Sequence, residues 1–346
     1  MPAIRVGIYY RHIFDDGGYP RDILTLQKAI NGDNVEAVPI TGVRNYLAVR
    51  SSLNVVHFFG MFMPDLPFVA MDAWRVGLPS VWSPLGNLLP HALRRSPNKK
   101  KLFLACGTKF AMQRANIIHA FTDDEKNSIV KLGIRTPIHK VPFGLFPEDL
   151  PSPNTGDHSN KNTSNISNYL LFLGRLDVQQ KGIDVLIDGY ISYLRSGGRY
   201  NLVICGKDWK QGENFVRNKI LHPAAKGRIQ FLGSVNNDEK FSLMTNAVAF
   251  VYPTRHDGPP RPIRDALALG KRILVTRSAN IHDDIEALGW GYSFDPEPSQ
   301  LAEAIAKLES ETSAPNYVNP MSILSWDLVS RSFIDLYFRL TNEMQS

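Results

Sequence analysis

Apolar runs of strand length recur along this chain and alternate with stretches of helical spacing. Residues 4–10 read as a first strand. Asp15-Asp16-Gly17-Gly18 follows, then a helical pattern through Ile23, Leu24, Leu26 and Ile30. Residues 35–39 and 54–59 give two more strands, 66–77 a helix and 79–84 another strand. Residues 115–121 are strand-like, and Thr122 to Glu125 has the Ser/Thr-x-x-Glu form of a helix capping box. A short strand at 138–142 runs into Phe143-Gly144-Leu145. Residues 154–168 are polar and almost free of core-forming side chains, the composition of a linker. The rhythm then resumes with strands at 169–173, 200–205, 229–235 and 247–252. Asn237, Asp238 and Glu239 open a helix. A further helix opens near Pro262 and stops at Gly270, ahead of a strand at 273–275. Residues 291–296 resemble a late strand, 301–308 have helical spacing, and 326–340 form an amphipathic helix. Strand–helix alternation on both sides of a linker predicts an α/β protein of two Rossmann-like domains. The expected bounds are 1–150 and 169–325, with 151–168 as linker and 326–346 as a C-terminal helix.

Length and composition narrow the class. A chain of 346 residues is long enough for two domains, each with its own core. No run of eighteen apolar residues occurs, and the N-terminus lacks a signal-peptide pattern, so a cytoplasmic protein is expected. On that ground the glycosylation patterns at Asn162 and Asn165 are discounted. Cys106 and Cys205 have no metal-ligand spacing and are expected to be reduced thiols in or near the core. The net charge of +6 suits an anionic substrate, nucleic acid or an anionic membrane surface. Arg94-Arg95 and Lys99-Lys100-Lys101 flank Leu102, Phe103 and Leu104. The plain reading is a solvated face. The sharper one is peripheral contact with the inner face of a membrane, or with a lipid-pyrophosphate acceptor. No aromatic interleaving or nucleic-acid module accompanies the charge, so a nucleic-acid partner is not expected. No G-x-G-x-x-G follows the first strand, which counts against a dinucleotide-binding domain.

Candidate chemistry gathers between residues 249 and 276, AFVYPTRHDGPPRPIRDALALGKRILVT. This is a strand–loop–helix–strand unit, and loops at strand ends are where open α/β sheets bind ligands. Asp257 and Asp265 bracket the loop with seven residues between them, so both acids can face one crevice. Two further stretches stand out. Residues 174–187 read GRLDVQQKGIDVLI, and residues 79–93 read PSVWSPLGNLLPHAL.

These three stretches resemble the retaining glycosyltransferases of family 4. Residues 174–187 match the family's G-R-L-D-x-x-x-K-G-x-D-x-L segment, and residues 257–266 stand where the family has E-G-F-G-L-P-x-x-E-A. Both acids are shortened to Asp here, and Phe-Gly has become Pro259-Pro260. The stretch at 79–93 resembles S-P-H-G-M-L-x-P-x-A-L, with Leu85 in place of the family's His.

The resemblance implies the two-domain GT-B fold, with Rossmann-like domains facing across a cleft and the C-terminal helix crossing back to the first domain. It also implies transfer of a hexosyl or deoxyhexosyl unit with retention of configuration. The donor would be a UDP-, GDP- or dTDP-linked sugar and the acceptor a glycan, a lipid-linked molecule or a small molecule. Polysaccharide biosynthesis is the expected setting. No cofactor or metal is expected, because Arg175 and Lys181 would hold the diphosphate as the glycosidic bond breaks. Asp257 and the Gly258 N–H would position the sugar, and Asp265 would hold the ribose. Gly174, Val235 and Arg261 complete the implied donor site from the second domain, and Gly17 and Gly18 from the first. His57, Leu85 and His91 are candidates on the acceptor side. Two rival readings remain: a catalytically silent binder of sugar nucleotides on the same scaffold, favoured by Leu85, Pro259-Pro260 and the shortened acids, and a sugar-nucleotide epimerase.

Overall fold

The computed structural model describes residues 3–11, 18–145, 167–258, 260–312 and 316–343. The expected linker at 151–168, with Asn162 and Asn165, lies almost wholly outside the described residues. So do Gly17 and Pro259.

The chain divides into two compact units. The first comprises residues 1–144 with 323–346, the second residues 145–322. Each is built on a six-stranded parallel sheet. In the first unit the strands are β1 (Ile4–Tyr9), β2 (Val35–Ile40), β3 (Val55–Phe59), β4 (Ser80–Ser83), β5 (Ile117–Ala120) and β6 (Ile138–Lys140), in the order β2-β1-β3-β4-β5-β6. In the second they are β7 (Tyr169–Leu173), β8 (Asn201–Cys205), β9 (Ile229–Gly233), β10 (Ala249–Tyr252), β11 (Arg272–Thr276) and β12 (Gly291–Phe294), in the order β12-β11-β10-β7-β8-β9. The central strands are buried on both faces, as with VVHFF in β3 and AFVY in β10. That is why they read as unbroken apolar runs. Most strands are shorter than the runs that predicted them, but β7 matches its run and β2 and β11 extend beyond theirs. Tyr10 and Ala247–Val248 are apolar and sit near the sheet, but fall outside the strands.

Within the first unit the C-terminal helix, Trp326–Glu343, packs against the helix Gly18–Ile30 and against β3. It buries Val329, Phe333, Leu336, Tyr337 and Leu340, the 3–4 spacing of its apolar face. Among the described residues no helix is long and apolar enough to cross a membrane.

Two expectations are corrected here. Cys205 is buried, but Cys106 is exposed, because it lies at a kink where Gly107 adopts φ +110°. Thr122 does cap the helix Asp123–Lys131, accepting from the Glu125 N–H at 3.2 Å. The reciprocal half of the box is absent. The Glu125 carboxylate accepts instead from the N–H groups of Phe121, at 2.9 Å, and of Gly86, at 2.5 Å.

Candidate functional site

Each sheet has one place where the strand order reverses, and there the loops leaving two neighbouring strands part to opposite faces. In the second unit this point lies between β7 and β10. The loops leaving those strands carry Arg175 and Asp257, so the topology itself brings the two motif stretches side by side.

After β7 the chain passes Gly174, whose N–H bonds the Cys205 carbonyl at 3.1 Å, and then Arg175. Asp177 caps the short helix Val178–Lys181 through the Gln180 N–H at 2.9 Å. That turn aims Lys181 at the end of β10. Gly182 follows at φ +65°, and a Cβ there would run into the Pro253 carbonyl oxygen. Only glycine suits both the left-handed backbone and the close approach of the two loops.

Three side chains meet at that junction. Lys181 Nζ donates to the Tyr252 hydroxyl at 2.5 Å and is paired with the Asp257 carboxylate. The Tyr252 hydroxyl in turn donates to Asp257 Oδ2 at 2.7 Å. Burial first, and the adjacent Asp257 second, push the Tyr252 hydroxyl well above its ordinary pKa, so it stays a neutral donor. Arg175 stands beside this group, close enough to act on Tyr252. Its guanidinium bonds Gln180 Oε1 at 2.8 Å, lies 3.7 Å from Asp177 and covers the Trp209 ring at 4.3 Å. The Arg175 side chain is still 40% exposed, so much of its donor fork faces solvent.

The loop that presents Asp257 is held from three sides. The Thr254 hydroxyl donates to the Gln180 carbonyl at 2.8 Å. Arg255 grips Asp184 with two bonds of 2.8 and 2.7 Å. Asn280, itself left-handed at φ +57°, donates to the Asp257 carbonyl, and the Asp257 N–H reaches Ser278 at 3.3 Å. The Gly258 N–H is satisfied at 3.1 Å by the Asp257 carboxylate. Arg261 opens the helix Arg261–Ala268, with Pro262 in its first turn. Asp265, in the second turn, is buried, and its carboxylate pairs with Lys240 at 2.8 Å rather than with Lys181. Val235 is half-buried in the loop after β9. Arg175, Lys181 and Asp257 are thus gathered at one point, while Asp265 forms a second, separate ion pair.

Tyr252, Gln180, Trp209, Lys240 and Asn280 were not singled out from sequence. Tyr252 ends an apolar run and reads as core. Gln180 fills a variable position of its motif, and Trp209 follows an unremarked turn. Lys240 and Asn280 act on partners 25 and 23 residues away, and no local pattern marks either.

In the first unit the acceptor-side candidates separate. His57 is fully buried in β3, and both of its ring nitrogens are engaged, so it is not a substrate-facing group. It belongs to a buried chain from the Tyr337 hydroxyl to His57 (2.7 Å), Ser83 (2.6 Å), His119 (2.6 Å) and the Val141 carbonyl (2.8 Å). The chain has one self-consistent direction. A carbonyl only accepts, so His119 Nε2 carries a proton and its Nδ1 accepts from Ser83. Ser83 therefore accepts from His57 Nε2–H, and His57 Nδ1 accepts from Tyr337. Both imidazoles are neutral. Their burial agrees with this, lowering His57 well below its ordinary pKa and His119 to about 3.

Leu85 is 8% exposed and left-handed at φ +59°, in the turn after β4 that Glu125 holds through Gly86. Burial pushes the Glu125 carboxyl up to about 7 against the two N–H donors that favour its charge. His91 is half-buried in the helix Pro90–Arg94, and Gly18 is the first residue of its helix.

Comparison with known proteins bears on the fold and the family. Residues 155–320 match the family Glycosyl transferases group 1. A stretch of 145 residues is 30% identical to a protein of Methanocaldococcus jannaschii named as an uncharacterized glycosyltransferase. That match covers 41% of this chain and 38% of the relative. Among solved structures, the Anabaena protein HepE in complex with UDP aligns with a TM-score of 0.73 at 13% identity, covering 97% of this chain and 100% of that one. Sucrose-phosphate synthase of Thermosynechococcus elongatus aligns at 0.69 and 11% identity, over 98% and 100% of the two chains. A UDP-forming trehalose-phosphate synthase of Burkholderia xenovorans aligns at 0.66 and 14%, over 98% and 99%. The α/β fold with two parallel sheets is therefore that of GT-B glycosyltransferases, and residues 155–320 carry a glycosyl transferases group 1 domain.

Proposed function

We propose that this chain moves a hexosyl or deoxyhexosyl unit from a nucleotide sugar to a glycan, lipid-linked or small-molecule acceptor, with retention and without a metal. The observation that carries this reading is the meeting of Lys181, Tyr252 and Asp257 beside Arg175 at the strand-order reversal of the second unit. Two cations with donors to spare can take up a diphosphate and offset the negative charge that grows on it as the sugar departs. Lys181 pairs with Asp257. A donor would exchange these partners, its phosphates taking Lys181 and its sugar hydroxyls taking Asp257 and the Gly258 N–H. Asp265, held in place by Lys240, would accept from the ribose hydroxyls. In a retaining transfer the leaving phosphate oxygen would collect the acceptor proton on the departing face. No side chain is then required as a base.

UDP is the nucleotide bound to HepE and released by the Burkholderia enzyme, so UDP-sugars are the first donors to try. The test is a thermal-shift panel of UDP-, GDP-, dTDP- and ADP-sugars, followed by transfer and hydrolysis assays with the donor that binds. A ligand of the folded state raises the melting temperature. Lys181→Ala and Arg175→Ala each remove a charge-assisted contact of about 1.5–3 kcal/mol, and should weaken donor binding about 10- to 150-fold. A shift preserved in both variants would overturn the diphosphate assignment. Binding without transfer to any acceptor would favour a silent binder, and an altered free sugar nucleotide would favour an epimerase.

A further inference from the structure

We propose that the outer face of the helix Leu66–Arg75, together with the helix Pro97–Phe103, docks onto an anionic lipid bilayer. Residues 73–122 contain eight Lys and Arg and no Asp or Glu. The other 296 residues hold 31 cations against 33 acids, so the whole positive excess of the chain resides in this stretch.

The structure adds apolar side chains to that charge. The helix Leu66–Arg75 buries Leu66, Val69, Ala70 and Ala73 and turns Phe68 outwards, 76% exposed. Trp74 and Val76 are also exposed. The Arg114 guanidinium covers the rings of both Trp74, at 4.9 Å, and Phe110, at 4.7 Å, which ties these residues into one patch. Just ahead of the helix, Phe62 meets Phe103 at 5.7 Å and carries Lys100 Nζ over its ring at 4.9 Å. Leu102, next to Phe103, is 64% exposed and lies one turn from Lys99.

Exposed aromatic and aliphatic groups flanked by cations match a lipid interface. The apolar groups enter the headgroup boundary while Lys and Arg keep their charges among the phosphates. A second copy of this face would bring two sets of like charges together, which disfavours self-association. The surface lies wholly in the first unit and its test uses no donor, so it stands or falls separately from the transferase reading.

The test is co-sedimentation of the full chain with vesicles of phosphatidylcholine alone, and with about a third phosphatidylglycerol added. Binding is expected to the second kind only, and to weaken as salt rises. Lys99→Ala with Lys101→Ala should weaken it about 25-fold, at roughly fivefold per cation. Phe68→Ser with Leu102→Ser should weaken it at least about tenfold. Urea midpoints of both double variants establish that they fold. Absence of binding, equal binding to neutral vesicles, or unchanged binding by both folded variants would each overturn the proposal. So would a dimer in light scattering that Phe68→Ser disperses, which would assign the face to a second copy.

Discussion

Glu125→Gln makes the first unit more sensitive to acid, and the size of the effect follows from two buried groups that respond to pH in opposite senses. Glu125 titrates near 7 in the folded chain against an ordinary value of 4.5. Its folded pKa is raised, so between those values the folded state holds the proton and the unfolded state has lost it. Stability from this group therefore rises as pH falls. From pH 7 to pH 5 the gain is about 2 kcal/mol. His119 titrates near 3 against an ordinary 6.5. Its folded pKa is depressed, so the unfolded state takes up the proton first and stability falls with pH. From pH 7 to pH 5 the loss is also about 2 kcal/mol. His57, lowered by the same burial, adds to the loss. In the wild-type protein Glu125 offsets part of the histidine cost, and glutamine removes the offset. The variant should lose about 2 kcal/mol more than wild type between pH 7 and pH 5, whatever its stability at pH 7. Hydrogen exchange in β3, β4 and β5, corrected for intrinsic rates at each pH, measures this. Equal pH dependence in the two proteins would refute the reasoning, because it would mean that Glu125 is already ionised at pH 5.

Two further substitutions test the construction of the candidate site. Gly182→Ala should destabilise the second unit by more than the ~1–2 kcal/mol of left-handed strain alone, since the new methyl meets the Pro253 carbonyl. A urea-denaturation loss below about 1 kcal/mol would mean that the two loops do not approach so closely. Trp209→Ala should lower donor affinity about two- to fivefold by freeing the Arg175 guanidinium from a stack of about 0.5–1 kcal/mol, while Trp209→Phe retains most of it. Identical affinities for the alanine and phenylalanine variants, read by calorimetry, would leave Trp209 without that part.

The fold was readable because doubly buried parallel strands appear as short apolar runs separated by helical spacing, and both sheets have that form. The pattern does not mark where a strand ends, so Tyr10 and Val248 read as strand although they lie just outside it, their N–H groups still bonding Ile40 and Tyr169. At the site, Lys181 and Asp257 were legible because they belong to contiguous motifs. Tyr252, which joins them, was not, since a tyrosine closing the run AFVY looks like any core aromatic. His57 looked like a lone histidine beside apolar residues. Its partners His119 and Tyr337 lie 62 and 280 positions along the chain, beyond any local spacing rule. Glu125 shows a finer limit. Its pattern predicted a closed local cap, but the carboxylate reached Gly86, 39 residues earlier, and the turn bearing Leu85 became part of what it holds.

The hydroxyl of Tyr337 begins the buried relay that runs through β3, β4 and β5, yet it is made only after residues 145–322. A ribosome releases strands β1 to β6 first and must then thread out residues 145–322 before the closing helix emerges. At roughly 5–20 residues per second that interval is about 10–35 s. During it β3 displays an imidazole nitrogen with no donor and an uncovered apolar surface, while the later unit already has all of its own strands. Synthesis order and completion order are thus reversed: the half translated first is the half that must wait, and a chain cut short before Trp326 would leave it permanently unfinished.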